Sequence, residues 1–336
     1  MTNYIKYGTA AFVIPFWSDG KPHRLKYLND ALESIYSQTD NNWKIYLVDD
    51  ASIYEPDKRY LMELEDKNNN IKVIFSEAST GPGDARNKGI IEAYKEQCPF
   101  ICFLDSDDIA SHNRVDEVRK AFLEDSEADI AYSSFKVIDE ENNAVSDSDL
   151  LEGIKIIISD IENRPLYGYD TWIEMAVERD TLTIPSALNV KTTLAAKHLF
   201  PNYARFHEDT HTWLRYSASG AKVVYIPQIP SKYRIPQKVN GSESRERAGG
   251  IEAFNRLRVK IIMQGLVEAI EMAKKRGVID NDKGLEIMTR YCLNVAAMIK
   301  KEGTVSVAKE LVEQAKTISS DKFYAFKDKY SLEGLV

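Results

Sequence analysis

Three carboxylates fall within four residues at Asp105-Ser106-Asp107-Asp108, directly after the apolar run Pro99-Phe100-Ile101-Cys102-Phe103-Leu104. The run is short and rich in aromatic and β-branched residues, so it reads as a buried strand with the carboxylates at its C-terminal end. Ligands of open α/β sheets bind at that edge, and clustered carboxylate oxygens there suit a hard divalent cation and the phosphates it carries. A second acidic pair, Asp49-Asp50, follows the apolar run Ile45-Tyr46-Leu47-Val48. One aspartate after a strand is ordinarily a turn residue or a helix cap. Two strands delivering carboxylates to one sheet edge argue for a site instead.

Between these clusters, Thr80-Gly81-Pro82-Gly83-Asp84-Ala85-Arg86 reads as a glycine-rich turn entering a helix. Free backbone N–H groups at a helix start attract phosphate, and Arg86 adds a rigid cation. The segment lacks the Gly-Lys-Ser/Thr of a P-loop and the Gly-x-Gly-x-x-Gly of a dinucleotide fold. Further along, Glu208-Asp209 heads a predicted helix, where Asp209 is suited either to capping or, as a carboxylate favoured in its ionised form, to general-base work. His207 and His211 stand four apart with no third ligand of a zinc pattern, so they are not read as a metal site.

Strands at Ala10 to Phe16, Trp43 to Val48, Ile71 to Phe75 and Phe100 to Leu104 alternate with helices at about residues 24–37, 56–66, 83–96 and 111–124. Such alternation builds a mostly parallel sheet with helices on both faces. Further strands are expected at Ile130 to Ile138, Leu182 to Leu188 and Lys222 to Ile226, and helices at Tyr169 to Glu178 and Asp209 to Ser217. Residues 139–165 are acidic and give no pattern, and Pro227, Pro230 and Pro236 mark an irregular stretch. From about Gly250 the apolar period becomes helical through three successive faces. The division expected is a catalytic domain over residues 1–240 and a helical region over 241–336.

Net charge is −8, which argues against a nucleic-acid partner. It is uneven: residues 245–336 carry 17 Lys and Arg against 13 Asp and Glu, a net +4 that leaves −12 on residues 1–244. The three cysteines, Cys98, Cys102 and Cys292, form neither a disulfide framework nor a zinc pattern. The polar N-terminus and the lack of a membrane-spanning apolar run lead to the expectation of a cytoplasmic protein. Asn240-Gly241-Ser242 then reads as a loop rather than a glycosylation site.

Taken together, Phe12-Val13-Ile14-Pro15, Leu28 through Ser37-Gln38-Thr39, Val48-Asp49-Asp50-Ala51-Ser52, Gly83 through Gly89, Leu104-Asp105-Ser106-Asp107-Asp108 and Glu208-Asp209 stand in the order and spacing of family 2 glycosyltransferases. The resemblance covers about residues 9–235 and not the helical tail. It implies the GT-A fold, a Rossmann-like α/β nucleotide-diphospho-sugar transferase domain. By that resemblance Pro15, Phe16, Asp49 and Asp50 line the nucleotide pocket, Arg86 contacts the nucleotide and Asp105 faces the ribose. Asp107 coordinates Mn²⁺ or Mg²⁺ bridging the diphosphate, and Asp209 is the catalytic base of an inverting transfer. Glu208, Asp108 and Trp213 are expected near the acceptor or supporting these groups.

The implied partners are a nucleotide-sugar donor, most simply a UDP-sugar, and a glycan, lipid-linked or protein-linked acceptor in surface polysaccharide or glycoconjugate synthesis. The helical tail is expected to pack on the catalytic domain, to join subunits, or to contact acceptor or the inner membrane face through Lys274-Lys275-Arg276 and Lys300-Lys301. Family members often carry a basic or histidine-containing segment after the final strand, and Tyr233 to Lys238 has no histidine. Arg234, Lys238, Arg245 and Arg247 stand either on a solvated linker or on a loop that closes over the diphosphate about Gly241, Gly249 and Gly250. The competing readings are a nucleotidyltransferase, for which Ser18-Asp19-Gly20-Lys21 is a poor phosphate loop, and a catalytically silent glycan- or partner-binding homologue.

Overall fold

The computed structural model describes residues 2–237 and 243–335, Glu243 through its backbone alone. Asn240-Gly241-Ser242 and Lys238 lie outside the described residues. Among the described residues the strands are β1 (Ala10–Phe16), β2 (Trp43–Asp49), β3 (Ile71–Phe75), β4 (Phe100–Phe103), β5 (Ala128–Tyr132), β6 (Phe135–Ile138), β7 (Leu188–Lys191), β8 (Lys222–Tyr225) and β9 (Ser231–Arg234). The helices are α1 (Thr2–Tyr7), α2 (Pro22–Tyr36), α3 (Glu55–Lys67), α4 (Pro82–Lys95), α5 (Arg114–Glu124), α6 (Glu152–Asn163), α7 (Trp172–Glu178), α8 (Thr192–Lys197) and α9 (Glu208–Ala218). They continue with α10 (Glu243–Arg247), α11 (Ile251–Lys275), α12 (Asn281–Lys301), α13 (Val305–Ile318) and α14 (Ser320–Phe326). None of these helices is long and apolar enough to cross a membrane.

By its internal contacts the chain forms two compact units. The first comprises Met1–Gly168, Thr183–Arg205 and Ala221–Lys238; the second comprises Tyr169–Leu182, Phe206–Gly220 and Val239–Val336. Packing thus recruits two earlier segments, α7 and α9 among them, into the unit that holds the C-terminal helices.

In the first unit a seven-stranded sheet has the order β3-β2-β1-β4-β7-β5-β8, with a separate pair β6-β9. Only β7 runs antiparallel to its neighbours. Parallel strands need both faces covered and so read as continuous apolar runs. Every residue of β1 and β4 is accordingly buried. Helix α4 lies so close to β1 that a Cβ on Gly89 would stand 2.6 Å from Val13 Cγ1, which draws the start of α4 to the sheet edge.

The structure departs from the sequence expectations at several places. The strand read over 130–138 is two, β5 and β6 in different sheets, broken at the buried pair Ser133-Ser134. The strand read over 182–188 begins at Leu188, because Pro185 opens a tight helical turn over Pro185–Ala187. The unassigned acidic stretch contains α6, and the proline-rich stretch contains β9.

In the second unit α9 packs along α11, and α12 packs against α13 and α7. Its interior is apolar, with Trp172, Trp213, Leu266, Ala269, Ile287 and Cys292 fully or almost fully enclosed. A charged brace crosses it: Arg258, 3% exposed, donates to Asp180 and, at 3.3 Å, to Glu302 Oε1.

Candidate active site

The carboxylate cluster forms where β4 ends, and its members meet different surroundings. Asp105 is half-buried; its N–H donates to Ser186 Oγ at 2.9 Å, and its Oδ1 accepts from Arg86 Nη2 at 2.5 Å. Arg86 comes from the first turns of α4, is 2% exposed, and stacks over the Phe200 ring at 5.4 Å. Asp107 is exposed, and the loss of part of its hydration to neighbouring protein together with repulsion from Asp105 raises its carboxyl above the ordinary carboxylate value. Asp108 is fully buried, its Oδ1 accepting the Arg234 N–H at 2.9 Å. Burial first and the Asp107 charge second raise the Asp108 carboxyl well above the ordinary carboxylate range.

Asp49 closes β2 and Asp50 lies just beyond it, and the two meet different surroundings. Asp49 is fully buried, with its carboxylate on the Ser52 hydroxyl and, at 3.1 Å, on the Ser52 N–H. Burial pushes its carboxyl up against the opposing pull of those bonds. Asp50 faces the glycine-rich segment and accepts from Ser79 Oγ at 2.8 Å and from the N–H groups of Thr80 and Gly81 at 3.0 Å each. It organises the entry to α4. Gly81, at φ +106°, gives that entry a turn which side-chain-bearing residues rarely adopt. Pro15 and Phe16 are buried at the end of β1, and the Asp50 N–H donates to the Phe16 carbonyl at 2.8 Å.

Arg234, read on a solvated linker or a closing loop, instead takes a fixed position on β9. Its side chain is fully enclosed, donating to the Asp107 carbonyl at 2.7 Å, the Asp139 carbonyl at 3.0 Å and Asp30 Oδ2 at 3.1 Å over the Tyr27 ring. An extended strand paired with β6 holds it there. Arg245 and Arg247 lie on α10.

Asp209 and Glu208 open α9 in the second unit, with Asp209 half-buried and Glu208 6% exposed. Asp209 Oδ1 accepts the Thr210 N–H at 2.7 Å. Trp213, read either beside the acceptor or, as an aromatic's default, in the core, is a core residue: it is fully buried, with its ring 5.6 Å from that of Tyr216. A side chain on the packed face of a helix cannot stack on a sugar.

The structure therefore joins Arg86 to Asp105, Asp50 to the α4 entry, and Asp107-Asp108 to Arg234. Sequence reasoning missed Ser186 and Arg114. Arg114, 1% exposed, donates to Asn189 Oδ1 and to the Ser186 and Leu188 carbonyls at 2.8, 2.6 and 2.9 Å, which fastens the turn that carries Ser186. An arginine at a helix start gives no sign of such burial. Among the described residues no group of three or more His, Cys, Asp or Glu side chains forms a ready metal cage. One exposed carboxylate beside a second fits a cation that takes its remaining ligands from phosphate oxygens, the usual way magnesium is held at phosphate sites.

Residues 12–175 match the family model described as Glycosyl transferase family 2. An uncharacterized glycosyltransferase of Methanocaldococcus jannaschii is 26% identical over 215 residues, 64% of this chain and 68% of that protein. One of Rickettsia bellii is 26% identical over 196 residues, 58% of this chain and 25% of that much longer protein. The crystal structure of Staphylococcus aureus TarS 1-349 in complex with UDP superposes with a TM-score of 0.51 at 14% identity, covering 96% of this chain and 90% of that one; the same fragment has been crystallised with UDP-GlcNAc. The sheet order and the TarS likeness define the GT-A fold with a helical C-terminal region. The chain is a glycosyltransferase whose residues 12–175, just under half of its length, are similar to glycosyl transferase family 2.

Proposed function

We propose that the chain moves a sugar from a nucleotide-diphosphate donor, a UDP-sugar, to a hydroxyl of a glycan or glycoconjugate acceptor with inversion at C1. The observation that carries this reading is the Arg86–Asp105 pair, which sets a cation and a carboxylate side by side where a β-strand end meets a glycine-rich helix entry. Such an edge suits a nucleotide and its phosphates. The UDP and UDP-GlcNAc complexes of TarS support the choice of donor.

In this reading Pro15 and Phe16 wall the base pocket, and Asp50 shapes it through the loop at residues 79–81. Asp105 faces the ribose, with Arg86 holding it in place. Asp107 would hold Mn²⁺ or Mg²⁺ together with phosphate oxygens, and that ion would neutralise charge gathering on the departing diphosphate. Asp108 and Arg234 fix the backbone that presents Asp107. The acceptor oxygen forms its bond to C1 on the face opposite the breaking C1–O bond. The Asp209 carboxylate takes the hydroxyl proton, and the nucleotide diphosphate leaves with the bonding electron pair. A positioned base of this kind contributes about 10² to 10⁴ in rate. Glu208 supports the acceptor side. Residues 1–240 hold all of these groups, and residues 241–336 form the helical accompaniment.

The test is release of UDP from a panel of UDP-sugars, with acceptor glycans, in the presence and absence of Mn²⁺. Mn²⁺-dependent UDP release with one sugar supports the reading. Pyrophosphate release from UTP and a sugar phosphate, with no UDP formed, overturns it in favour of nucleotidyl transfer.

A further inference from the structure

We infer that helix α11 is the mount of the catalytic carboxylate, gripping the start of α9 through Phe254 on His207 and through Gly265 on His211. The inference rests on the reading of Asp209 as the base and assigns the C-terminal helices a part in catalysis beyond packing.

Helix α9 begins abruptly. His207, the residue before Glu208-Asp209, has φ 59° and ψ 16°, a left-handed conformation uncommon for any residue with a side chain. Surroundings must hold it there. The His207 ring lies 4.4 Å from the Phe254 ring, and Phe254 also meets Phe206 edge-on at 6.1 Å and the Arg245 guanidinium at 5.9 Å. Both residues that lead into Glu208-Asp209 are thus held by one side chain of α11. Burial, then Arg258, pushes the His207 imidazole down to about 3, so the grip is between neutral rings at working pH.

The second contact is backbone on backbone. A Cβ on Gly265 would stand 2.8 Å from His211 Cα, a distance side chains essentially never tolerate, so only glycine lets α9 and α11 approach this closely. The His211 N–H donates to the His207 carbonyl at 3.3 Å, which links the two contacts through the first turn of α9. Phe254 and Gly265 are separated by about three helical turns and share one face of α11. The mount is itself braced: Asn255, fully buried, donates to Glu302 Oε2 at 3.2 Å and to Thr304 Oγ1 at 3.0 Å, and the adjacent Arg258 ties α11 to Asp180. Displacing a reacting group by about 1 Å costs on the order of 10² in rate, so a rigid mount is worth keeping even where it touches no substrate.

The experiment compares Phe254→Ala, Phe254→Tyr, Gly265→Ala and Asp209→Asn in the full chain. It measures kcat, KM for the donor, UDP affinity and the cooperativity of thermal melting. The expected result is a fall in kcat of about tenfold or more for folded Phe254→Ala and Gly265→Ala, with donor KM and UDP affinity within about twofold of wild type. Phe254→Tyr, which keeps the ring, should restore most of the rate. If Gly265→Ala does not fold, the Phe254 pair decides alone. A folded Phe254→Ala with wild-type kcat, or an equal loss in Phe254→Ala and Phe254→Tyr, overturns the inference. Turnover retained by Asp209→Asn removes instead the reading beneath it.

Discussion

The Arg86 guanidinium on α4 donates to the Asp105 carboxylate after β4 at 2.5 Å, and the arginine is all but fully enclosed while the aspartate keeps 24% of its side chain exposed. The glycine-rich helix entry and the strand-end carboxylates, 19 residues apart in sequence, are therefore one electrostatic unit. Its enclosed partner sets the geometry, and its exposed partner is left to meet a ligand.

Arg86→Lys should weaken UDP binding by roughly tenfold or more, because a point charge cannot reproduce the planar fork or its stacking on Phe200. Arg86→Ala should also lower stability by on the order of 2 kcal/mol, less than the 3–5 kcal/mol of a fully buried pair because water reaches Asp105. Calorimetric UDP titration and urea unfolding measure the two effects. Wild-type affinity in Arg86→Lys would remove the arginine from the nucleotide site.

Asp50→Ala strips the Thr80 and Gly81 N–H groups of their acceptor, which should cost on the order of 2–3 kcal/mol and loosen the α4 entry. UDP affinity should fall with it. Asp50→Asn keeps one acceptor oxygen and should lose about half as much. Equal stability of Asp50→Ala and wild type in urea would contradict the loop-organising role.

Asp108 has its carboxyl raised in the folded chain above its unfolded value. The native state then holds a proton that the unfolded state has released, so this group's contribution falls as pH rises from the unfolded pKa toward the folded one. Asp108→Asn keeps an acceptor for the Arg234 N–H without that proton linkage. The variant should gain on wild type in stability between pH 4 and pH 7. A wild-type advantage that grows over this interval would show Asp108 to be stabilised as the anion.

Buried His211 has the opposite sign. Burial and Arg215 push its imidazole down to about 3, while Glu268 stands 3.7 Å off and is itself within 3.4 Å of Arg215 Nε. Below about pH 6.5 the unfolded chain takes up a proton that the native chain refuses, so stability falls on acidification at up to about 1.4 kcal/mol per pH unit from this residue. The stability difference between wild type and His211→Gln should shrink from pH 7 to pH 5. A constant difference would mean that His211 is protonated equally in both states.

Much of the first unit is legible in the sequence because its parallel strands are continuous apolar runs with polar punctuation, and their ends carry the aspartates. Asp105, Asp107, Asp50 and Arg86 stand out for that reason. Arg234 does not: its neighbours Pro230 and Pro236 suggest a loop, while the decisive fact is pairing with β6, nearly a hundred residues away. The placement of α9 is equally hidden. Its apolar face signals a partner, but the sequence does not say that the partner is α11 or that Gly265 permits the approach. Trp213 is ambiguous in sequence because an aromatic side chain on a site-bearing helix looks the same whether it faces a sugar or the core.

The most direct test of the central claim is Asp209→Asn assayed for UDP release with donor and acceptor, alongside UDP binding by calorimetry. The substitution keeps the shape of the carboxylate and removes its basicity, so turnover should fall by about 10² or more while UDP affinity stays within about twofold. Unchanged turnover in a folded Asp209→Asn would contradict the account and place the proton acceptor elsewhere in the chain.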